Sequence, residues 1–163
     1  MRVAIVSDTH LPRGERAIPA ACLEHCAAAD AILHTGDFVD VATLDRFESL
    51  GPPLHAVYGN VDGPAVRARL PETLEVELGG ARIGLVHIPG PADGRAARLQ
   101  RRFPGCAAVV FGHTHMPEHA ELAGGFQVFN PGSPTERRRA PGHTMGLATI
   151  EAGVVRFELV ALD

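Results

Sequence analysis

Short apolar runs that stop at a polar turn recur along the chain, and they predict its architecture. Arg2–Ser7 (RVAIVS) is apolar and β-branched and ends in Asp8-Thr9-His10, the pattern of a buried strand with polar groups at its C-terminal end. A helical stretch over about Pro19–Ala29 leads to Ala31–His34 and then to Thr35-Gly36-Asp37. A second helix over Val41–Leu50 leads to Leu54–Tyr58 and Gly59-Asn60. Strand, polar turn, helix, strand is the βαβ grammar of a parallel sheet.

After Pro71 the grammar changes. Leu74–Leu78 and Ala81–His87 are strand-like and separated only by Gly79-Gly80, a two-residue link suited to a hairpin, so antiparallel pairing is expected from here. A helix follows whose basic face, Arg95, Arg98, Arg101 and Arg102, is expected in solvent. Ala107–Phe111 then delivers Gly112-His113-Thr114-His115 at its end. Gln127–Asn130, Met145–Ile150 and Val154–Val160 complete the strands and read as antiparallel or mixed, the last two joined by a tight turn at Ala152-Gly153. No internal repeat or low-complexity tract interrupts the pattern. The expected fold class is α/β, a two-sheet β-sandwich flanked by helices, in one domain spanning 1–163.

Composition narrows the function classes. With 163 residues, 45% hydrophobic and 21% charged, the chain is long enough to bury a core without disulfide staples. Cys22, Cys26 and Cys106 are odd in number, which suits a reducing compartment, and Cys22 and Cys26 at helical spacing read as core packing rather than ligands. An acidic residue at position 8 comes too early for a secretory signal, and no run of about 18 apolar residues occurs, so a cytoplasmic protein without a membrane span is expected. A net charge of −4 argues against dedicated nucleic-acid binding, so any affinity for phosphate must be local.

The candidate chemistry lies at the strand ends. Five of them finish in potential metal ligands: Asp8 and His10, Asp37, Asn60, His87, then His113 and His115. Sheets of this class bring residues distant in sequence together outside the carboxyl ends of their strands. Each short motif alone is weak, but in Gly112-His113-Thr114-His115 two imidazoles two residues apart can reach neighbouring metal positions, and Gly112 admits close backbone approach. His25, His34, His55, His119 and His143 carry no such motif and read as structural or surface residues, with His119 nearest to His115 in the chain. Arg13 reads as a solvated loop residue. Of Arg137, Arg138 and Arg139, which could bring guanidinium donors to a phosphate, Arg137 is the first candidate.

On Asp8-Thr9-His10, Gly36-Asp37, Gly59-Asn60-Val61-Asp62, His87, Gly112-His113-Thr114-His115 and Asn130-Pro131-Gly132-Ser133, the chain resembles the calcineurin-like metallophosphoesterases. The likeness is to their small single-domain bacterial and archaeal phosphodiesterases and covers nearly the whole chain. It implies a four-layer α/β/β/α sandwich and two divalent ions, one held by Asp8, His10 and His115 and the other by Asn60, His87 and His113, with Asp37 bridging them. Two ions about 3.5–4 Å apart orient a phosphoryl group, lower the pKa of a bridging water and stabilise the attacking and leaving oxygens. Asp37 is expected to offer one oxygen to each ion, and Asn60 a neutral amide oxygen plus an N–H toward the substrate. The implied reaction is hydrolysis of a small phosphate diester by a metal-bound hydroxide. On that resemblance Asp37, Asn60 and His113 are expected at the reacting centre and Asn60 also at the substrate, where Arg137 is the candidate read from the arginine run. Manganese is the ion the resemblance favours, and nickel, iron, zinc or magnesium also suit nitrogen and oxygen donors.

Two positions depart from the family pattern. Val61 stands where many members carry a His that serves as a candidate acid for the leaving group, which favours substrates with good leaving groups. Asp62 is expected to orient its neighbours instead. Ile88 follows His87 where Gly is common. The rival readings are a non-catalytic protein-binding scaffold on the same fold, marked by degraded ligands, and a phosphomonoesterase or nucleotide hydrolase. All seven ligand positions are competent here, which favours the enzyme.

Overall fold

The structure, a computed structural model, describes residues 1–162. Its elements run β1 (Arg2–Val6), α1 (Ala20–Ala27), β2 (Ala31–His34), α2 (Val41–Glu48), β3 (Leu54–Ala56), α3 (Pro64–Arg67) and β4 (Thr73–Leu78). They continue with β5 (Ala81–Val86), α4 (Arg95–Arg102), β6 (Ala108–Phe111), β7 (Glu118–Glu121), β8 (Gln127–Asn130), β9 (Thr144–Glu151) and β10 (Val154–Ala161). The strands form two five-stranded mixed sheets, ordered β10-β9-β1-β2-β3 and β4-β5-β6-β8-β7. In the first, β1, β2 and β3 are parallel, and β9 and β10 close one side antiparallel. In the second, β5, β6 and β8 are parallel between antiparallel edges β4 and β7.

Alternation along the strands builds the layers. On β1, Val3 and Ile5 point into a core between the sheets, with Ile83, Leu85, Val110 and Phe129 of the second sheet. Ala4 and Val6 face the other way, onto Cys22, Cys26, Leu44 and Phe47 of α1 and α2. The second sheet buries Val109 and Val128 against Leu99 of α4 and Phe103 on its outer side. Period-two residues on strands sandwiched by apolar helix faces give the four-layer α/β/β/α arrangement expected from the resemblance. Cys22 and Cys26 are buried free thiols in this packing, as their spacing suggested. At the start of α2, Asp40 caps the helix by accepting from Thr43 N at 2.9 Å.

Three local features differ from the expected pattern. The four-residue α3 has Pro64 in its first turn and is too short to show a periodicity. Strand β7 (EHAE) has no apolar run; it is recruited by antiparallel pairing with β8. The basic face of α4 is only partly solvated. Arg95 is buried, paired with Glu118 and placed over the Phe111 ring at 5.2 Å, and Arg98 donates to the carbonyls of Pro89, Pro91 and Asp93. A guanidinium has five donors, and the proline-containing loop 89–93 offers carbonyls that no strand uses. Among the described residues no helix is long and apolar enough to cross a membrane.

Candidate metal centre

The loops that leave the strand ends are bent sharply. Asp8 (φ 57°), His10 (47°), Asp37 (61°), His113 (70°) and His115 (59°) all hold left-handed backbone. Each such non-glycine residue costs on the order of 1–3 kcal/mol, and such residues persist only where surrounding structure over-determines them. Here it does. Asp8 N donates to Gly36 O at 3.0 Å and His10 N to Asp37 O at 2.9 Å, tying the first loop to the second. Ser133 Oγ donates to Asp8 O at 2.7 Å and Thr135 Oγ1 to Thr9 O at 2.6 Å. Asn130 Nδ2 donates to Gly112 O and Thr114 Oγ1, so the Asn130–Ser133 segment braces the first and last loops together.

Asp62 braces the middle of the site. Its carboxylate accepts from Asp37 N at 3.0 Å, Gly59 N at 2.7 Å and Val39 N at 2.7 Å, so one buried side chain orients both the Asp37 turn and the Asn60 turn. That is the orienting role expected of it. Arg67 supports the same turn through the carbonyls of Asp62, Gly59 and Asn60 and lies over the Tyr58 ring at 4.6 Å. His34, whose only sequence reading was structural, stacks on Phe38 at 3.7 Å and accepts from Gly36 N through Nδ1. Burial pushes its pKa down to about 3, so it stays neutral.

The seven predicted ligand residues meet in one place. Asp8 Oδ1 lies 3.2 Å from His115 Nε2, 3.7 Å from His10 Nε2 and 4.0 Å from His87 Nε2. Asp37 Oδ2 lies 3.3 Å from His10 Nε2 and 3.2 Å from His87 Nε2. Asn60 Oδ1 lies 3.0 Å from His87 Nε2 and 2.8 Å from His113 Nδ1. Of the two Asp37 oxygens, Oδ2 is the one that faces both imidazoles, while Oδ1 accepts from Val61 N at 3.0 Å. His87 is placed with the others despite Ile88, its Nδ1 donating to Thr35 O at 2.7 Å.

The charge balance follows from this crowding. Burial opposes ionisation of Asp8 and Asp37, but the surrounding imidazoles outweigh it and hold both carboxyls far below the usual carboxylate range. Burial likewise opposes protonation of His10, yet its contacts with Asp37 and Asp8 raise its pKa to about 9. His87 is raised against burial by Asp37 first and Asp8 next. His113 moves the other way, lowered by burial and by the neighbouring His87.

The donor set fits divalent ions. Asp8 Oδ1, His10 Nε2 and His115 Nε2 are buried and lack hydrogen-bond partners, although buried polar atoms are normally satisfied. These three atoms converge, as do those of Asp8, Asp37 and His87, with all ligand atoms of each group within 4.8 Å of one another. Convergent, orphaned carboxylate and imidazole atoms are what a cation would satisfy. The other nitrogens are already oriented for this: Nδ1 of His115 donates to Glu136 O at 2.6 Å and Nδ1 of His87 to Thr35 O, leaving Nε2 of each for the centre.

Other candidates lie elsewhere. His119 bonds Gln127 and packs on Phe129 and Phe157. Arg13 is exposed. Arg137 is turned to Pro141 O, and it is Arg138 and Arg139 that line a cleft of about 310 Å³ with Thr114 and Met116. A second cleft of about 380 Å³ opens beside Asn60 and His87, lined also by Tyr58, Arg67, Glu72, Ile88 and Arg102. Sequence reasoning missed Glu136, whose Oε2 lies 3.9 Å from Nδ1 of both His10 and His115. Its one signal was position, three residues beyond Ser133 in a motif already singled out.

Two sheets between helices, with carboxylates, imidazoles and an amide gathered at the strand ends, define a metallophosphoesterase. Residues 1–153 match the calcineurin-like phosphoesterase superfamily domain, and the chain belongs to that family. It is 33% identical over 142 residues to a probable metallophosphoesterase of Methanothermobacter thermautotrophicus, covering 85% of this chain and 80% of that one. It is 26% identical over 163 residues to a phosphodiesterase of Methanocaldococcus jannaschii, covering 92% and 90% of the two chains. The solved structure of Vps29 from Entamoeba histolytica in complex with zinc matches it with a TM-score of 0.78 and 28% identity over 100% of both chains. The protein is thus a metal-dependent phosphoesterase of this family.

Proposed function

We propose that the protein is a dinuclear phosphodiesterase. Asp8, His10 and His115 hold one divalent ion, Asn60, His87 and His113 the other, and Asp37 is shared between them. The observation that carries this reading is Asp37 Oδ2, which approaches His10 and His87 at 3.3 and 3.2 Å while its partner oxygen is pinned by the chain. Bound divalent ions supply the positive charge that acidifies water and offsets charge on phosphoryl oxygens. Manganese is the first ion to test and zinc, present in the Vps29 structure, the second.

The protein's own groups position the rest. Asn60 turns Oδ1 toward the imidazoles, leaving Nδ2 to donate to a phosphoryl oxygen. The two clefts support a diester, because one flanks Asn60 and His87 and the other lies beside the loop of His113 and His115, giving each ester arm a place. Arg67 and Arg102 in the first and Arg138 and Arg139 in the second present positive charge to an anionic substrate. Arg138 takes over the substrate contact first assigned to Arg137. Val61 is exposed and brings no proton donor, so the leaving group departs without a side-chain acid from that position.

The test is hydrolysis of bis(4-nitrophenyl) phosphate and of 4-nitrophenyl phosphate by chelator-treated protein titrated with manganese. Metal-dependent turnover that favours the diester is expected. Preference for the monoester overturns the diester assignment, and absence of turnover in protein that binds its ions puts a non-catalytic binding role ahead.

A further inference from the structure

Glu136 stands behind two of the ligands, and everything around it converges on one half of the centre. Its carbonyl accepts from His115 Nδ1 at 2.6 Å, and its N–H donates to Ser133 Oγ at 2.9 Å. The Ser133 hydroxyl in turn donates to Asp8 O at 2.7 Å. The carboxylate is divided: Oε1 accepts from Arg16 at 2.8 Å, while Oε2 is buried, has no hydrogen-bond partner and lies 3.9 Å from His10 Nδ1. Arg16 lies six residues after His10, so the loop that leaves the first ligands returns to clamp the residue behind them.

An imidazole that binds an ion through Nε2 is neutral and carries its proton on Nδ1, and that N–H needs an acceptor. For His115 the acceptor is the Glu136 carbonyl. For His10 the carboxyl oxygen that faces Nδ1 is Glu136 Oε2, and a shift of roughly 1 Å brings it within hydrogen-bond range. We propose that Glu136 is a positioning residue for the Asp8, His10 and His115 site: its carbonyl and its carboxylate together set both imidazoles to present Nε2 to one divalent ion. Arg16 holds the carboxylate ionised and aimed. This rests on the metal-centre reading above and adds a residue outside its ligand set.

The test titrates zinc, a diamagnetic probe, into chelator-treated full-length wild type, Glu136→Ala and Glu136→Gln, followed by calorimetry and by long-range ¹H–¹⁵N spectra of the imidazoles. Loss of an outer-shell partner weakens metal binding by roughly 10–100-fold, so Glu136→Ala is expected to lower the affinity of one of two sites by that factor and leave the other within about twofold. Glu136→Gln, which keeps an acceptor oxygen, should lose less, and it carries the test if Glu136→Ala does not fold. In zinc-loaded wild type His10 should be the Nδ1–H tautomer with a slowly exchanging proton, and in Glu136→Ala that proton should exchange fast. Unchanged affinity at both sites, or equal weakening of both, overturns the positioning role. A wild type that binds no zinc overturns the metal-centre reading and this inference with it.

Discussion

The backbone N–H of Val61 donates to Oδ1 of Asp37 at 3.0 Å, which leaves Oδ2 as the oxygen facing His10 and His87. An Asn at position 37 would keep its one oxygen on Val61 N–H and turn its NH₂ toward the centre, where it repels a cation. Asp37→Asn is therefore expected to lower kcat/KM by more than about 100-fold, beyond the loss typical of an outer-shell change, and to reduce the number of bound ions. Steady-state kinetics with metal analysis checks this; near-normal turnover with full metal content contradicts it.

Position 61 also governs the leaving group. Val61 is 43% exposed beside Asn60, so a larger side chain fits without entering the core. General acid catalysis contributes roughly 10²–10⁴-fold, most for poor leaving groups. Val61→His is expected to raise turnover of alkyl diesters while changing 4-nitrophenyl diesters little. A series of leaving groups of increasing pKa reads this out as a shallower dependence in the variant.

Protons and metal ions compete for the centre. The His10 pKa is raised from 6.5 to about 9 by Asp37 and Asp8 against burial, so in the metal-free protein its protonated form stabilises the fold. That contribution is complete below about pH 6.5 and is lost as the pH rises through about 9. Metal-free protein should thus become less stable to denaturant between these values. Metal affinity should rise over the same interval, with proton release on binding. Denaturant melts and metal titrations in buffers of different ionisation enthalpy measure both trends; a flat affinity across the window would contradict the linkage.

Gly112 is packed where no side chain fits. A Cβ there would overlap Ser7 Oγ and lie 2.7 Å from Asp8 Oδ2, and Oδ2 is held by Ser7 Oγ at 2.6 Å and His113 N at 3.0 Å. Gly112→Ala is expected to displace Asp8 and weaken metal binding and activity together while the sheets persist. Adding Ser7→Ala should not restore function, since the contact with Asp8 Oδ2 remains. Metal stoichiometry with far-UV circular dichroism tests the pair.

Much of the site was readable in the chain because its logic is local. Asp8, Asp37, Asn60, His87, His113 and His115 each sit at or just beyond the end of an apolar run, and side-chain alternation on those runs says which strands are buried. What stayed hidden depends on contacts across long separations. Glu136 reaches His10 from 126 positions away in sequence, a carboxylate among arginines with no periodicity around it. Strand β7 and the buried Arg95 were invisible for a related reason. Each owes its place to its partner, β8 in one case and Glu118 with Phe111 in the other.

By itself, then, the sequence determined the layers and which carboxylate, imidazole and amide side chains stand at the strand ends, because apolar periodicity and side-chain identity are properties of short segments. Only the tertiary structure decided which oxygen of Asp37 faces the imidazoles, that Asp62 holds two turns at once, and that Arg138 rather than Arg137 lines a cleft. These outcomes depend on how loops from different strands satisfy one another's donors and acceptors, and that accounting closes only when all the strand ends are brought together.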